Sequence, residues 1–356
     1  MPRPETPPET GLSRRERKRR LREQRKTRRR VLQRRLLLLL PVVALVAGLL
    51  IFLASPGDDP VSRAEAPVVG PRLDAPDTAE APRKGGGPDG APRAAGISGG
   101  EAGDLRDELE GIAQSYPGRY GVIVSDPSSG EAVSMDPDAR FLAASINKLP
   151  VLMTLYRSAA AGTVDLDDEI SMQASDVQAY GTGSLYTKPV GHTLTLRECA
   201  GFLIKESDNT AWKMLDRYLG RDAIRAELYG AGARSTEYWI PNTTTPNDVL
   251  TMLEKISDPS YTTPDLSDEM LELMTDTDFE DRLPQPLPEG ARVSHKIGSY
   301  GATFGDAGVV FPDGSRSTEN AYFIVVLVDE TGEGSARAAM REMSLATYRS
   351  FTTADQ

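Results

Sequence analysis

Hydrophobic and polar positions divide the chain into regions with different periodicities. Residues 36–54 are apolar throughout and uncharged. A helix of this length nearly spans the ~30 Å hydrocarbon core of a bilayer. Residues 55–101 show no periodicity, and positions 55–100 hold 8 prolines and 9 glycines without an aromatic residue, which predicts a disordered linker. From residue 102 onward helical and strand periods alternate, so a folded domain is predicted over 102–356.

The apolar spacing within this domain predicts helices and strands at both ends, with helices between them. The predicted helices cover Asp104–Tyr116, Leu149–Ala160, a stretch capped by Thr195 to about Lys205, Thr245–Ile256, a stretch capped by Ser267, and Ser335–Phe351. The predicted strands cover Arg119–Ser125, Glu131–Met135, Arg292–Ile297, Asp306–Phe311 and Tyr322–Val328. This order predicts an α/β (α+β) fold in which an antiparallel sheet, built from both ends of the domain and flanked by helices, carries an inserted all-helical lobe.

Charge changes the interpretation of the N-terminal regions. The whole chain carries a formal charge of −11, yet residues 1–35 hold 15 Lys/Arg against 4 Asp/Glu, a balance of +11, which leaves −22 for the remainder. A basic arm before an apolar run and an acidic segment after it predict a cytoplasmic N-terminus and an extracytoplasmic domain. An uncleaved, single-pass membrane anchor at 36–54 is favoured over a cleaved signal peptide because the apolar run is long. The arm is interpreted as a topology determinant, and no nucleic-acid partner is expected.

Cysteine and histidine counts exclude several classes of protein. Cys199 is the only cysteine, so no intrachain disulfide is possible, and a buried structural thiol is expected. The two histidines, His192 and His295, make a zinc enzyme with several histidine ligands improbable and leave few candidates for a Ser-His-Asp triad.

Three short motifs carry candidate chemistry. Ser145-Ile146-Asn147-Lys148 precedes a helix, so Ser145 and Lys148 are predicted to share one face. A desolvated lysine there can act as a base toward the serine, although a cap followed by a surface lysine is the commoner meaning of this spacing. Ser207-Asp208-Asn209 lies between helical stretches, where such residues usually form caps. Lys296-Ile297-Gly298 ends a strand, and the glycine allows close approach of another group.

Together, and in this order, the motifs resemble the S-x-x-K, S-D-N and K-T-G signature of class A β-lactamases and penicillin-binding proteins. The resemblance covers roughly residues 102–354 and includes Thr243-Thr244-Thr245-Pro246 and Asp306-Ala307-Gly308-Val309-Val310. It implies a serine β-lactamase/transpeptidase-like fold that acts on a β-lactam or a peptidoglycan-derived small substrate, with no metal and no cofactor.

The resemblance also implies a role for each motif residue. Ser145 would be the acylated nucleophile and Lys148 its proton acceptor, while Ser207 would pass a proton toward the leaving nitrogen. Asn209 would hydrogen-bond the substrate amide, and Lys296 would attract the substrate carboxylate. The implied oxyanion hole consists of the backbone N–H groups of Ser145 and of Ser299, which follows Gly298.

Two departures from the family pattern bear on activity. Ile297 replaces the hydroxyl residue that holds the substrate carboxylate, a role left to Ser299 or Ser294. The segment 234–242 lacks the Glu-x-x-Leu-Asn pattern whose glutamate activates the deacylating water, and its one carboxylate, Glu237, is expected to be an ordinary surface residue.

The resulting hypothesis is a membrane-anchored extracytoplasmic serine hydrolase that forms an acyl-enzyme on Ser145 and deacylates slowly. Two alternatives stay open, namely a penicillin-binding or cell-wall D,D-peptidase-like protein and a catalytically silent peptidoglycan-binding module on the same fold. A Ser145 Oγ far from Lys148 Nζ, in a cleft filled by side chains, would favour the silent module.

Overall fold

The structure, a computed structural model, describes residues 99–352. The predictions for the basic arm 1–35, for the apolar run 36–54 and for most of the linker lie outside the described residues. Among the helices within 99–352, none is long and apolar enough to cross a membrane.

Helices and strands of the described part follow the predicted order. The helices are α1 (Gly99–Ser115), α2 (Leu149–Ala160), α3 (Leu196–Lys205), α4 (Asn209–Leu219), α5 (Arg221–Ala231), α6 (Pro246–Ser257), α7 (Pro264–Leu273) and α8 (Glu333–Thr352). The strands are β1 (Arg119–Ser125), β2 (Ala132–Met135), β3 (Phe141–Leu142), β4 (Glu169–Ser171), β5 (Thr193–Thr195), β6 (Thr243–Thr244), β7 (Arg292–Tyr300), β8 (Thr303–Phe311) and β9 (Tyr322–Asp329).

The main sheet has five antiparallel strands in the order β2-β1-β9-β8-β7. The first two strands come from the start of the domain and the other three from its end, which confirms the predicted sheet built from both termini. Two short antiparallel pairs, β3-β6 and β4-β5, lie outside this sheet.

Both faces of the sheet are buried, as strand β9 shows. Its alternate residues Ile324 and Val326 pack with α1 and α8, while Phe323 and Val325 pack with the helical lobe. Side chains of a strand point alternately to opposite faces, so one apolar strand contributes to two hydrophobic cores. The edge strand β7, farthest from β2, is the strand that carries the third motif.

Helix starts follow the predicted caps, with one correction. Thr195 caps α3 and Thr245 caps α6, each through its side-chain oxygen. The predicted cap at Ser267 is wrong, because α7 begins at Pro264 and Thr263 accepts the N–H of Leu266 at 3.3 Å. A threonine followed by proline at the first helical position is the stronger start signal, and Ser267 is a buried residue inside the helix.

Candidate active site

Ser145 and Lys148 lie on one 3₁₀ turn, Ala144–Lys148, that leads directly into α2. Side chains three residues apart eclipse each other in a 3₁₀ helix, and Ser145 Oγ lies 3.2 Å from Lys148 Nζ. The turn stands where the sequence predicts an α-helical N-terminus. Ala144 opens it with a φ of 49°, a left-handed conformation that costs about 1–3 kcal/mol in a residue other than glycine.

Lys148 is fully buried and its amine contacts side chains of the second motif. Nζ lies 3.1 Å from Ser207 Oγ and 2.8 Å from Asn209 Oδ1, and it donates to the Ser207 carbonyl. Burial and the nearby charge of Lys296 lower the pKa of Lys148 well below its usual value. An uncharged amine beside a serine hydroxyl can accept its proton, so the pair has the geometry that a nucleophile and its base require.

The second motif serves both as a helix cap and as part of the site. Asp208 caps α4, and its Oδ1 accepts two backbone N–H groups of the first turn at 2.7 and 2.9 Å. Ser207 has a φ of 50°, and with Asn209 it directs its side chain toward Lys148. Asp208 therefore has the capping role that is usual for such residues, while Ser207 and Asn209 belong to the candidate site.

Lys296 reaches the same serine from the sheet. Its Nζ donates to Ser207 Oγ at 2.8 Å and to the Ile297 carbonyl at 3.2 Å. Burial lowers the pKa of Lys296 to about 7, against an opposing effect of the Asp306 carboxylate. The Ser207 hydroxyl thus lies between the amines of Lys148 and Lys296. The charge of Lys296 lowers the pKa of Lys148.

Gly298 is required by the packing of β7 against the 3₁₀ turn. A Cβ at this position would lie 2.7 Å from the Ala143 carbonyl oxygen and 3.0 Å from Ile146 Cγ1. Only glycine permits so close an approach, and the next residue, Ser299, consequently lines the same cleft as Ser145.

An open cleft of about 710 Å³ borders Ser145. Its walls are aromatic and apolar on several sides and include Leu142, Tyr180, Trp212, Phe279, Ile297 and Tyr300. Ser145, Asn209 and Ser299 supply polar groups to it. The short Ser145–Lys148 distance and the open cleft are the opposite of the features that would favour the silent-module alternative.

Arg282 is a further candidate residue that the sequence reasoning missed. It is 3% exposed, lines the cleft, and donates to Ser299 Oγ at 2.5 Å and to the Gly298 carbonyl at 3.0 Å. Of the two serines considered as replacements for the hydroxyl absent at Ile297, Ser294 is fully buried and hydrogen-bonds Thr275. Ser299 faces the cleft, and Arg282 adds a positive charge beside it.

The segment 234–242 is joined to the 3₁₀ turn that carries Ser145 by amides rather than by a carboxylate. Asn147 Nδ2 donates to Asn242 Oδ1 at 2.6 Å, and Asn242 Nδ2 donates to the Ala144 carbonyl at 3.4 Å. Glu237 pairs with Arg140 at 3.3 Å and half of its side chain is exposed, which confirms the expectation of a surface residue. Among the described residues that line the cleft, the one carboxylate is Glu333.

Cys199 takes no part in the cleft. Its side chain is fully buried in the core of the helical lobe, as predicted, and burial raises the pKa of the thiol.

Comparison with known proteins places this geometry among related enzymes. A model of the beta-lactamase enzyme family matches residues 104–351. The beta-lactamase CTX-M-97 of Escherichia coli is 26% identical over 120 residues, which are 34% of this chain and 40% of the relative, so the match spans less than half of that enzyme.

Two solved structures share the fold over most of their length. A variant of PBP-A, solved as an acyl-enzyme complex with penicillin G, superposes with a TM-score of 0.64 at 26% identity, covering 70% of this chain and 97% of its own. An ancestral class A beta-lactamase gives a TM-score of 0.64 at 25% identity, covering 69% and 100% respectively.

Proposed function

Because the chain belongs to the beta-lactamase enzyme family, we propose that it is a serine hydrolase acylated on Ser145 by a β-lactam or a related amide or ester. One observation carries the proposal, namely that Ser145 Oγ lies 3.2 Å from the buried amine of Lys148. A base at this distance can take the proton as the serine oxygen attacks the carbonyl carbon.

The remaining motif residues supply the other steps of acylation. As the Ser145 oxygen bonds to the carbonyl carbon, negative charge develops on the carbonyl oxygen, and the backbone N–H groups of Ser145 and Ser299 stabilise it. When the carbon–nitrogen bond breaks, the nitrogen takes a proton from the Ser207 hydroxyl. That hydroxyl is replenished from Lys148, 3.1 Å away, which holds the proton removed from Ser145. Lys296 and Arg282 attract the substrate carboxylate.

Deacylation is proposed to be slow. Hydrolysis of an acyl-enzyme needs a base that activates water, and the described residues offer no carboxylate beside Ser145. Glu237 pairs with Arg140 outside the cleft, and Glu333 pairs with Arg337. This absence supports the penicillin-binding or D,D-peptidase-like alternative, in which a long-lived adduct forms, as strongly as it supports a slow β-lactamase.

We further propose that residues 36–54 anchor the protein in the cell membrane with the catalytic domain outside the cytoplasm. The support is the uncharged apolar run between a basic and an acidic flank. Protease added to intact cells should then release the domain, and a protein that alkaline carbonate extracts from membranes would contradict anchoring.

Nitrocefin hydrolysis tests the proposed acylation and the proposed slow deacylation together. We expect a burst close to one equivalent per enzyme, followed by slow turnover. Rapid steady-state turnover without a burst would contradict slow deacylation, while the absence of both burst and turnover at every pH would contradict the serine hydrolase.

Arg282→Lys is expected to lower the second-order rate constant for acylation by benzylpenicillin about tenfold, because it keeps a charge but loses the two-pronged donor. The methyl ester of benzylpenicillin lacks the carboxylate and should lose less than about twofold. Stopped-flow acylation of both compounds measures the difference, and equal losses would show that Arg282 acts on the fold alone.

Acylation by a carboxylate-bearing β-lactam is expected to slow as pH rises through about 7, where Lys296 loses its charge. Lys148 acts in the opposite direction since only its neutral form accepts a proton, so the profile is bell-shaped. The acylation rate constant for benzylpenicillin between about pH 5 and about pH 9 measures this. The methyl ester should show no alkaline decline, and a decline shared by both compounds would contradict the role of Lys296.

A further inference from the structure

A buried histidine lies behind the active-site strand, between two carboxylates. His295 is fully buried, with Nδ1 2.8 Å from Asp306 Oδ1 and Nε2 3.2 Å from Glu280 Oε1. It precedes Lys296 on β7, and consecutive strand residues face opposite ways. The cleft therefore does not use this histidine, and the acylation steps leave it unassigned.

The two carboxylates favour the positively charged form of the ring. Burial alone would lower the pKa of His295, but the carboxylates of Asp306 and Glu280 outweigh it and raise the pKa to about 9. Among residues 99–352, these are the two titratable groups that face the ring from the elements packed against it, and the Thr277 hydroxyl lies 3.4 Å from Nε2. Because the folded-state pKa exceeds the usual one, the charge stabilises the fold at neutral pH and is lost as pH rises through about 9.

The same two carboxylates hold both ends of a short segment. Glu280 contacts the ring at one end, and Asp306 Oδ2 accepts the backbone N–H of Leu283 at 3.1 Å at the other. Arg282 lies between these two points, and Phe279 precedes the first. Both of those side chains line the cleft, so the charged triplet fixes the backbone from which they project.

We propose that Glu280, Asp306 and the buried His295 between them form an ion relay that positions Arg282 toward the substrate carboxylate, an inference that rests on the proposed function. Glu280 and His295 are then positioning residues that touch no substrate. The relay fixes the position of Arg282 relative to β7, the strand that carries Lys296 and Ser299.

Glu280→Gln tests the relay while keeping the shape of the side chain. Glu280 is 39% exposed, so the variant should fold. Its acylation efficiency for benzylpenicillin should fall about threefold to tenfold, through weaker binding rather than a slower limiting rate, and that for the methyl ester should change less than about twofold. The matched control is Glu289→Gln, an exposed carboxylate of the same connection, which should match the wild type. Equal losses for the two compounds, or no loss, would overturn the positioning role.

Two NMR measurements test the relay independently of acylation. In the wild type, the ¹⁵N shifts of His295 should be those of an imidazolium at neutral pH, with the signals of the second histidine identified by His192→Gln. Glu280→Gln should lower the apparent pKa of His295 and speed hydrogen exchange at the Leu283 amide about tenfold, whereas Glu289→Gln should change neither. If β-lactams fail to acylate the wild type, the proposed function fails alone. A neutral His295, or a Leu283 amide insensitive to Glu280→Gln, would overturn the relay.

Discussion

Ser145→Ala is expected to abolish the covalent adduct with benzylpenicillin and to reduce kcat/KM for a chromogenic β-lactam, which reports acylation, about 10⁶-fold. The reason is that no other described hydroxyl lies both on the cleft wall and beside the buried amine of Lys148. Intact-mass spectrometry after incubation with benzylpenicillin measures the adduct.

The folded state should tolerate this change, because the loss is confined to one partly exposed hydroxyl. The melting temperature is therefore expected to move by no more than a few degrees. Ser115→Ala, at an exposed position on α1, is the matched control and should be acylated at the wild-type rate. Labelling of Ser145→Ala at that rate would exclude Ser145 as the nucleophile.

Lys148→Met is expected to slow acylation of Ser145 by about 10²–10⁴-fold, the usual contribution of a general base. Methionine fills a similar volume but offers no amine to the serine, to Ser207 or to Asn209. Single-turnover acylation by a fluorescent penicillin measures the rate constant.

Two further variants separate proton acceptance from charge and from general effects of substitution. Lys148→Arg keeps a permanent charge that cannot accept a proton, so it should be as slow as Lys148→Met. Lys205→Met removes a lysine that donates to the carbonyls of Glu272 and Thr275, outside the cleft, and should leave acylation unchanged. A Lys148→Arg variant that retained the wild-type rate would contradict the base role.

Local patterns were sufficient to predict most of the framework. The continuous β-rich run of β9 and the Thr-Pro pair before α6 each depend on a few neighbouring residues, and both were predicted. The division of the lobe into α4 and α5 was not predicted. Gly220, with a φ of 80°, both ends the first helix and begins the second, and nothing in the neighbouring sequence distinguishes that glycine from one within a loop.

The candidate site likewise contains one contact that the local sequence predicts and others that it does not. The Ser145–Lys148 contact follows from an i, i+3 spacing that survives the change from an α-helix to a 3₁₀ turn. Arg282 donates hydrogen bonds to Gly298, Ser299 and Gly305, which are 16 to 23 positions away. No motif in the sequence predicts contacts over such separations. Only the register between β7 and β8, together with the connection after α7, brings these groups together.

The most direct test is the intact mass of the wild-type domain after incubation with benzylpenicillin, followed by peptide mapping of the modified protein. Opening of the β-lactam ring leaves the whole antibiotic attached, so the mass should rise by one complete penicillin per chain, located on Ser145. An unmodified mass at every pH, or an adduct on any other residue, would contradict acylation of Ser145.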